Sequence, residues 1–448
     1  MTATSAPRRL PVVLRNPAFG AVWAAQVLTQ AAGRMFQVGV VWWLIGHALG
    51  GEGDGDRGLA SGVFLAVSTL PAVALAPLVA TVIARCSHRT VLASTAAVAG
   101  LVAAVTAGWT SLASPPTVVA YAAALLLAGC QALFDPCLTT SVPELVDDAD
   151  IEAATGFELA TQSLAGLAGG LLGPLVVDAW DLTGIVAGCA GAYLVAALLV
   201  SVTRFPRGGA AAGDEAAAAS GDAPPRRTLR QILADHPFIR RVLLCFAAVN
   251  LFSTALYVVM PLYTRSVLHA NGSTAAALET ALGIGTLLGS FTGARVPGSP
   301  TAVGGACLAV MAAALAMPGL LADRAAIVGA LIVAGWCVGT IGVRFVALFQ
   351  RLVPAADKPG FFAMMQALLG ATFPLSSLLF GALGDHLSPR VLCVLQAVGL
   401  APLAVALWWA GRHPDAPTGA ADETGPATSD AAPARASTAG NPPLEKAR

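Results

Sequence analysis

Charge is what this chain has least of. Only 11% of its 448 residues are Asp, Glu, Lys or Arg, and only 6% are aromatic, where an ordinary soluble protein carries roughly a quarter charged. A soluble globular fold of this length is therefore excluded. Lysine is nearly missing, at 2 against 23 arginines, a compositional lean without mechanism. No GxxxxGK[ST] phosphate loop occurs, which argues against an ATP-driven pump, and neither HExxH nor GxSxG occurs, which argues against the common hydrolases. The expectation is a protein that is not an enzyme. Eight cysteines (Cys86, Cys130, Cys137, Cys189, Cys245, Cys307, Cys337, Cys393) form no CxxC pair, and no histidines stand at ligand spacing. They read as small apolar residues, so no metal, cofactor or disulfide frame is expected, and nucleic acid is not expected as a partner.

What the chain has instead is length of apolar run: 56% of its residues are hydrophobic and its mean hydropathy is +0.74. Twelve stretches are each long enough to cross a bilayer, at 18–46, 59–84, 90–110, 117–141, 153–178, 183–203, 238–264, 274–296, 301–320, 325–350, 360–383 and 389–410. A hydrocarbon core about 30 Å thick needs about 20 apolar helical residues per crossing, and only helices or closed barrels satisfy their backbone there. Barrel strands would alternate, and these runs do not. The expected fold class is all-α integral membrane, with twelve transmembrane helices in two pseudo-symmetric six-helix bundles around a central cavity. The expected parts are an N-terminal tail (1–16), a first bundle (17–203), a charged linker with a short amphipathic helix (204–237), a second bundle (238–410) and a disordered tail (411–448).

Sorting the charges by loop predicts sidedness. Arg8, Arg9, Arg15, Arg85, Arg89, Arg204, Arg207, Arg226, Arg227, Arg230, Arg240, Arg241, Arg295, Arg351, Lys358 and Arg412 all fall on one side. The opposite loops carry Arg57, Arg265, Arg324 and Arg390 beside the acidic Glu52, Asp54 and Asp56. The positive-inside rule places both termini in the cytoplasm. The first run begins after Pro17 and lacks a cleavage site behind a short core, so it is expected to stay as a helix in a bacterial plasma membrane.

Polar side chains interrupt four spans, the first and fourth of each half. Gln26, Gln30, Arg34 and Gln37 lie within one quarter of the first helix's surface; Gln131, Asp135 and Thr139 mark the fourth span, Asn250, Thr254, Tyr257 and Pro261 the seventh, and Trp336, Thr340 and Arg344 the tenth. Such groups face a bundle interior or wet cavity, or serve as interhelical glue. Gln26, Gln30, Arg34, Gln37, Gln131, Asn250, Tyr257 and Trp336 are the candidate substrate-binding set. Arg34 lies about 24 Å from the cytoplasmic end of its helix and Asp135 and Glu158 only about 8 to 10 Å from theirs, so Arg34 is expected to meet substrate, water or carbonyls in the central cavity. Asp135, Glu158 and Arg344 are the gating or coupling candidates, with Asp135 and Arg344 as a possible inner-gate pair. Phe36, Trp42, Trp43, Phe252, Tyr257 and Trp336 offer aromatic surface, although interface anchoring is the preferred reading of Trp42 and Trp43.

Local motifs carry a resemblance. Phe134-Asp135-Pro136, then Ser141-Val142-Pro143-Glu144-Leu145-Val146, then Gly173-Pro174, and later Leu352-Val353-Pro354 with Gly360 resemble the major facilitator superfamily, in its drug and siderophore exporters similar to macrolide-efflux proteins and the enterobactin exporter. The resemblance covers about residues 10 to 410. Gly169, Gly173 and Pro174 look like the end of the antiporter motif of the fifth helix, with Ala160, Val177 and Asp178 departing from it. Arg85, His88 and Arg89 resemble the basic loop signature, with Ala84 in place of its aspartate. The resemblance implies alternating access and a proton-coupled exporter of small amphipathic compounds (drug, siderophore or secondary metabolite), with a small-molecule substrate, protons and the lipid bilayer as partners. An uncoupled facilitator or importer of an anionic solute, and a non-transporting sensor or scaffold, stand as alternatives.

Overall fold

A computed structural model describes residues 12–47, 57–112, 117–146, 150–203, 205, 237–354 and 358–412. The linker expected at 204–237, apart from residues 205 and 237, and the tail expected at 411–448, apart from residues 411 and 412, lie outside them. Among the described residues there is no strand. The chain runs α1 (Val12–Arg15), α2 (Pro17–His47), α3 (Arg57–Ala74), α4 (Ala76–Arg85), α5 (His88–Leu112), α6 (Thr117–Leu145), α7 (Ile151–Val202), α8 (Pro237–Ser253), α9 (Leu256–Ser266), α10 (Gly272–Thr292), α11 (Pro300–Leu320), α12 (Arg324–Leu352), α13 (Lys358–His386) and α14 (Pro389–Ala410).

Ten stretches are long and apolar enough to cross a membrane by length and composition. The count of twelve follows from two local features. The helix α2 falls short on composition because Gln26, Gln30, Arg34 and Gln37 interrupt it, and α7 holds two crossings joined at Asp181, whose φ of 57° and ψ of −167° break the helix. The sequence boundaries at 178 and 183 bracket that break. Two other crossings are bent: the second passes from α3 to α4 at Leu75, between Pro71 and Pro77, and the seventh from α8 to α9 at Ala255. Proline lacks the amide that would continue the ladder. Elsewhere side chains end the helices cleanly, with Ser299, Asp323 and Ser388 accepting from Ala302, Ala326 and Val391 at the starts of α11, α12 and α14.

Packing forms three apolar cores, of which one joins Phe19, Leu92, Phe134, Val142 and Val200 at the proximal end of the first half. A second joins Phe36, Trp43, Phe64, Ala103, Ile185 and their neighbours, and the third joins Phe238, Met311, Phe345, Phe361, Phe380 and theirs. Large apolar side chains such as Leu101, Val105, Leu198, Phe291 and Trp409 point outward, the arrangement a lipid solvent demands. Small residues let the helices approach: Gly169 and Gly173 of α7 face the α2 backbone at Arg34, Met35 and Gly39, and Gly285 and Gly289 of α10 face the α12 backbone at Ile332 and Trp336. Between the halves, α3 runs along α13 and α7 along α10.

Candidate functional site

The two ends of the bundle differ. At the distal end, where α2 finishes and α3 begins, hydrogen bonds join the halves. The Asp385 carboxylate on α13 accepts from the backbone amides of Gly58 (2.7 Å) and Leu59 (3.0 Å), capping α3 from the opposite half. The Asp178 carboxylate on α7 accepts from the Gly272 amide at the start of α10 and from Trp42 Nε1 (2.8 Å). A helix N-terminus offers unpaired amides and the positive end of its dipole, so each carboxylate suits its place. Gly58 and Gly62 of α3 face the backbone at Ser377 and Gly381 of α13, where a β-carbon would collide. The guanidinium of Arg265 on α9 lies over the Trp42 ring, 4.4 Å from its centroid, and against Gly46.

At the proximal end, several polar groups among the described residues bond within their own half. Arg344 donates to the carbonyls of Val296 (2.9 and 2.6 Å) and Gly298 (3.1 Å). Asp135 accepts from Gln131 (2.5 Å) and Gln30 (3.2 Å). His88 Nδ1 meets Glu144 at 2.9 Å, Arg89 donates to the Ser201 carbonyl, and Arg15 pairs with Asp150. Arg85 is exposed at the end of α4, which packs on α3, α5 and α6 of its own half. Glu158 lies on α7, and its side chain is outside the described residues.

Midway between the ends, Arg34 faces the other half. It donates to Gln37 Oε1 (2.5 Å) and lies 5.6 Å from the Tyr257 ring centroid. Arg34, Gln37, Val38, Tyr257, Phe373 and Glu279 line one small cavity between the halves. A second, nearer the distal end, is lined by Val38, Trp42, Pro174, Thr264 and again Glu279. Glu279, on α10, is the residue that sequence reasoning missed: it lines both cavities, and Arg34 of the opposite half lines the first of them. A lone acid in the middle of the eighth apolar run was the available signal.

The other candidates divide. Tyr257 and Gln37 join Arg34. Gln26 is only 1% exposed, inside the first half, away from the cavity linings. Asn250 donates to Leu369 O (2.7 Å) and Thr372 Oγ1 (2.6 Å), and Trp336 Nε1 to Thr292 Oγ1 (2.8 Å), each tying helices of one half. Interface anchoring does not describe Trp42 and Trp43, which are 1% and 3% exposed, because Asp178 and the second core take them inward. Phe36 packs on Phe64 and Phe252 on Phe380, both in the cores and not in the cavity.

The profile of the Major Facilitator Superfamily matches residues 22–339. The chain belongs to that superfamily, a family of membrane transporters. Among solved structures, a bacterial homologue of the human lysosomal transporter Spinster, inward-facing and occupied, is 15% identical, with a TM-score of 0.70 over 91% of this chain and 98% of that one. The nucleoside transporter NupG is 10% identical, with a TM-score of 0.66 over 88% of this chain and 99% of that one. At such identities the likeness shows the major facilitator fold. No curated protein matches the chain significantly.

Proposed function

We propose that this member of the superfamily is a proton-coupled exporter of small amphipathic compounds, such as a drug, siderophore or other secondary metabolite, working by alternating access from a bacterial plasma membrane with both termini in the cytoplasm. The observation that carries the reading is the asymmetry of the two ends. Carboxylate caps and glycine contacts join the halves at the distal end, while proximal polar groups bond within their own halves around a charged midpoint. With the proximal end in the cytoplasm, as the arginine distribution favours, this is an inward-facing carrier. The aromatic rings of Tyr257, Phe373 and Trp42 beside Arg34 and Glu279 suit a molecule with apolar and polar faces.

The first test is accumulation of fluorescent amphipathic compounds and labelled siderophores in an efflux-deficient bacterial host. The reading expects lower accumulation with the wild type than with an empty membrane, abolished by a protonophore and by Arg34→Ala. Raised accumulation would favour an importer. A sensor or scaffold would lose its output on deletion of 412–448 and keep it when Gln30 and Arg34 are replaced by alanine.

A further inference from the structure

The bend of the second crossing leaves a groove on the lipid side of the first half. Where α4 departs from α3 at Leu75, a space of about 530 Å³ opens between Leu70 and Leu75 on one wall and Val98, Leu126, Cys130 and Leu133 of α5 and α6 on the others. That is the size of a small-ligand site. Leu70, Val98 and Leu126 are half exposed, so the groove faces hydrocarbon, and it shares no lining residue with the cavities beside Glu279. Its two hydroxyls, on Ser94 and Thr95, donate to the Val91 carbonyl of their own helix, which leaves the lining apolar. Gly129 keeps it wide, since a β-carbon there would meet only the tip of Leu75, at 3.9 Å.

The groove also has a polar end. Ser94 lines a second space, of about 630 Å³, between α5 and the last turns of α7, beside Arg89, Thr90, Leu198 and Ser201. Among the described residues neither lining holds an acid. Arg89 is exposed and spends one nitrogen on the Ser201 carbonyl, and a guanidinium has five N–H donors. At 1.5 Å per residue, Ser94 lies about 8 Å and Val98 about 14 Å deeper than Arg89. Leu70, at the far end, lies about 22 Å from Arg85 at the close of α4, half of a bilayer about 40–45 Å thick with its headgroups. The whole site therefore falls within the proximal leaflet, with its cation at headgroup level and its apolar slot at acyl level.

We propose that this site binds one anionic phospholipid of the proximal leaflet, with its phosphate on Arg89 and one acyl chain in the groove beside Leu75. The arginine selects the headgroup, by charge-assisted hydrogen bonds at a surface where anionic lipids collect. The bend makes room for the chain. A chain lodged there props α4 in its bent position, so binding favours the form seen here over one with a straighter second crossing. The site stands apart from the direction and coupling of transport.

The test uses the full chain in phosphatidylcholine nanodiscs that contain a small fraction of phosphatidylglycerol with a diazirine halfway along one acyl chain. After irradiation, adducts are mapped by mass spectrometry. They are expected to concentrate on the α5 and α6 peptides that carry Val98 and Leu126. The yield should fall about tenfold in Arg89→Ala, as the loss of one charged hydrogen bond gives, and be kept in Arg89→Lys. Gly129→Phe, whose ring fills the groove, should lower it as well. The same diazirine chain on a phosphatidylcholine headgroup should label these peptides no more than the exposed face of α14 at Val398 and Val405. Equal labelling by the two headgroups in the wild type, or yields unchanged in both Arg89→Ala and Gly129→Phe, means ordinary surrounding lipid and overturns the proposal.

Discussion

The distal and proximal ends are built from the same kinds of residue and do opposite things with them. Distally, Asp178 and Asp385 each reach from the end of one helix onto the first turn of a helix in the other half. The two caps are related by the repeat: the fifth crossing caps the eighth and the eleventh caps the second. Proximally, Asp135 and Arg344 stay with side-chain amides and carbonyls of their own halves. A charge joins two bundles when it finds backbone amides across the gap and leaves them independent when its partners lie at home. The same inventory can therefore hold one end shut and let the other part.

The largest way to break this difference is Gly62→Val. Its new side chain would meet the Ser377 carbonyl of α13, and overpacking costs about 1–3 kcal/mol. The expected outcome is a protein that cannot close distally: export falls below a tenth of wild type, and the separation between spin labels at Trp180→Cys and Leu321→Cys, exposed distal positions in opposite halves, lengthens. Next come Asp385→Asn and Asp178→Asn. Each weakens an anion at a helix N-terminus, an interaction of about 0.3–2 kcal/mol, so each should shift the closed-to-open ratio a few-fold. Because the caps are on different helices, the double variant should show the sum of the single shifts in free energy, measured by the same labels.

The proximal end is sharpened by charge reversal. If Asp135 and Arg344 meet when that end closes, Asp135→Arg and Arg344→Asp each reduce transport and the double variant restores it. Failure of that rescue with expression intact would leave both residues to their present partners. The smallest effect is expected at Gly166→Ala on α7, where an added β-carbon meets nothing within 4 Å in this state. Exchange for alanine should leave transport within about two-fold and raise thermal stability slightly, since glycine costs a helix about 0.5–1 kcal/mol.

The spans were legible because a bilayer imposes a length and a polarity on every crossing, and the break at Asp181 fell in the gap left between the fifth and sixth. Arg34 was legible for the same reason, as a charge where hydrocarbon allows few. Glu279 obeys that rule too, but the run around it lacks the stripe of glutamines that drew attention to α2. Asp178 and Asp385 were not legible as caps. Each sits at the end of an apolar run, where a carboxylate reads as a solvated loop residue, and its partner amides lie 94 and 327 residues away in the chain. Backbone amides carry no sequence signature. The inward turn of Trp42 and Trp43 escaped for a related reason: tryptophan at the end of a membrane helix suits headgroups, and only the carboxylate opposite decides otherwise for Trp42.

The central claim is that the distal end opens in every cycle. It is tested most directly by tying α3 to α13 with a reducible thiol linker between Leu59→Cys and His386→Cys, both exposed at that end, in a Cys86→Ser background. Export of a compound found in the accumulation panel is then followed before and after reduction. The account predicts no export while the linker holds and recovery once it is cleaved; undiminished export through the linked protein would contradict it.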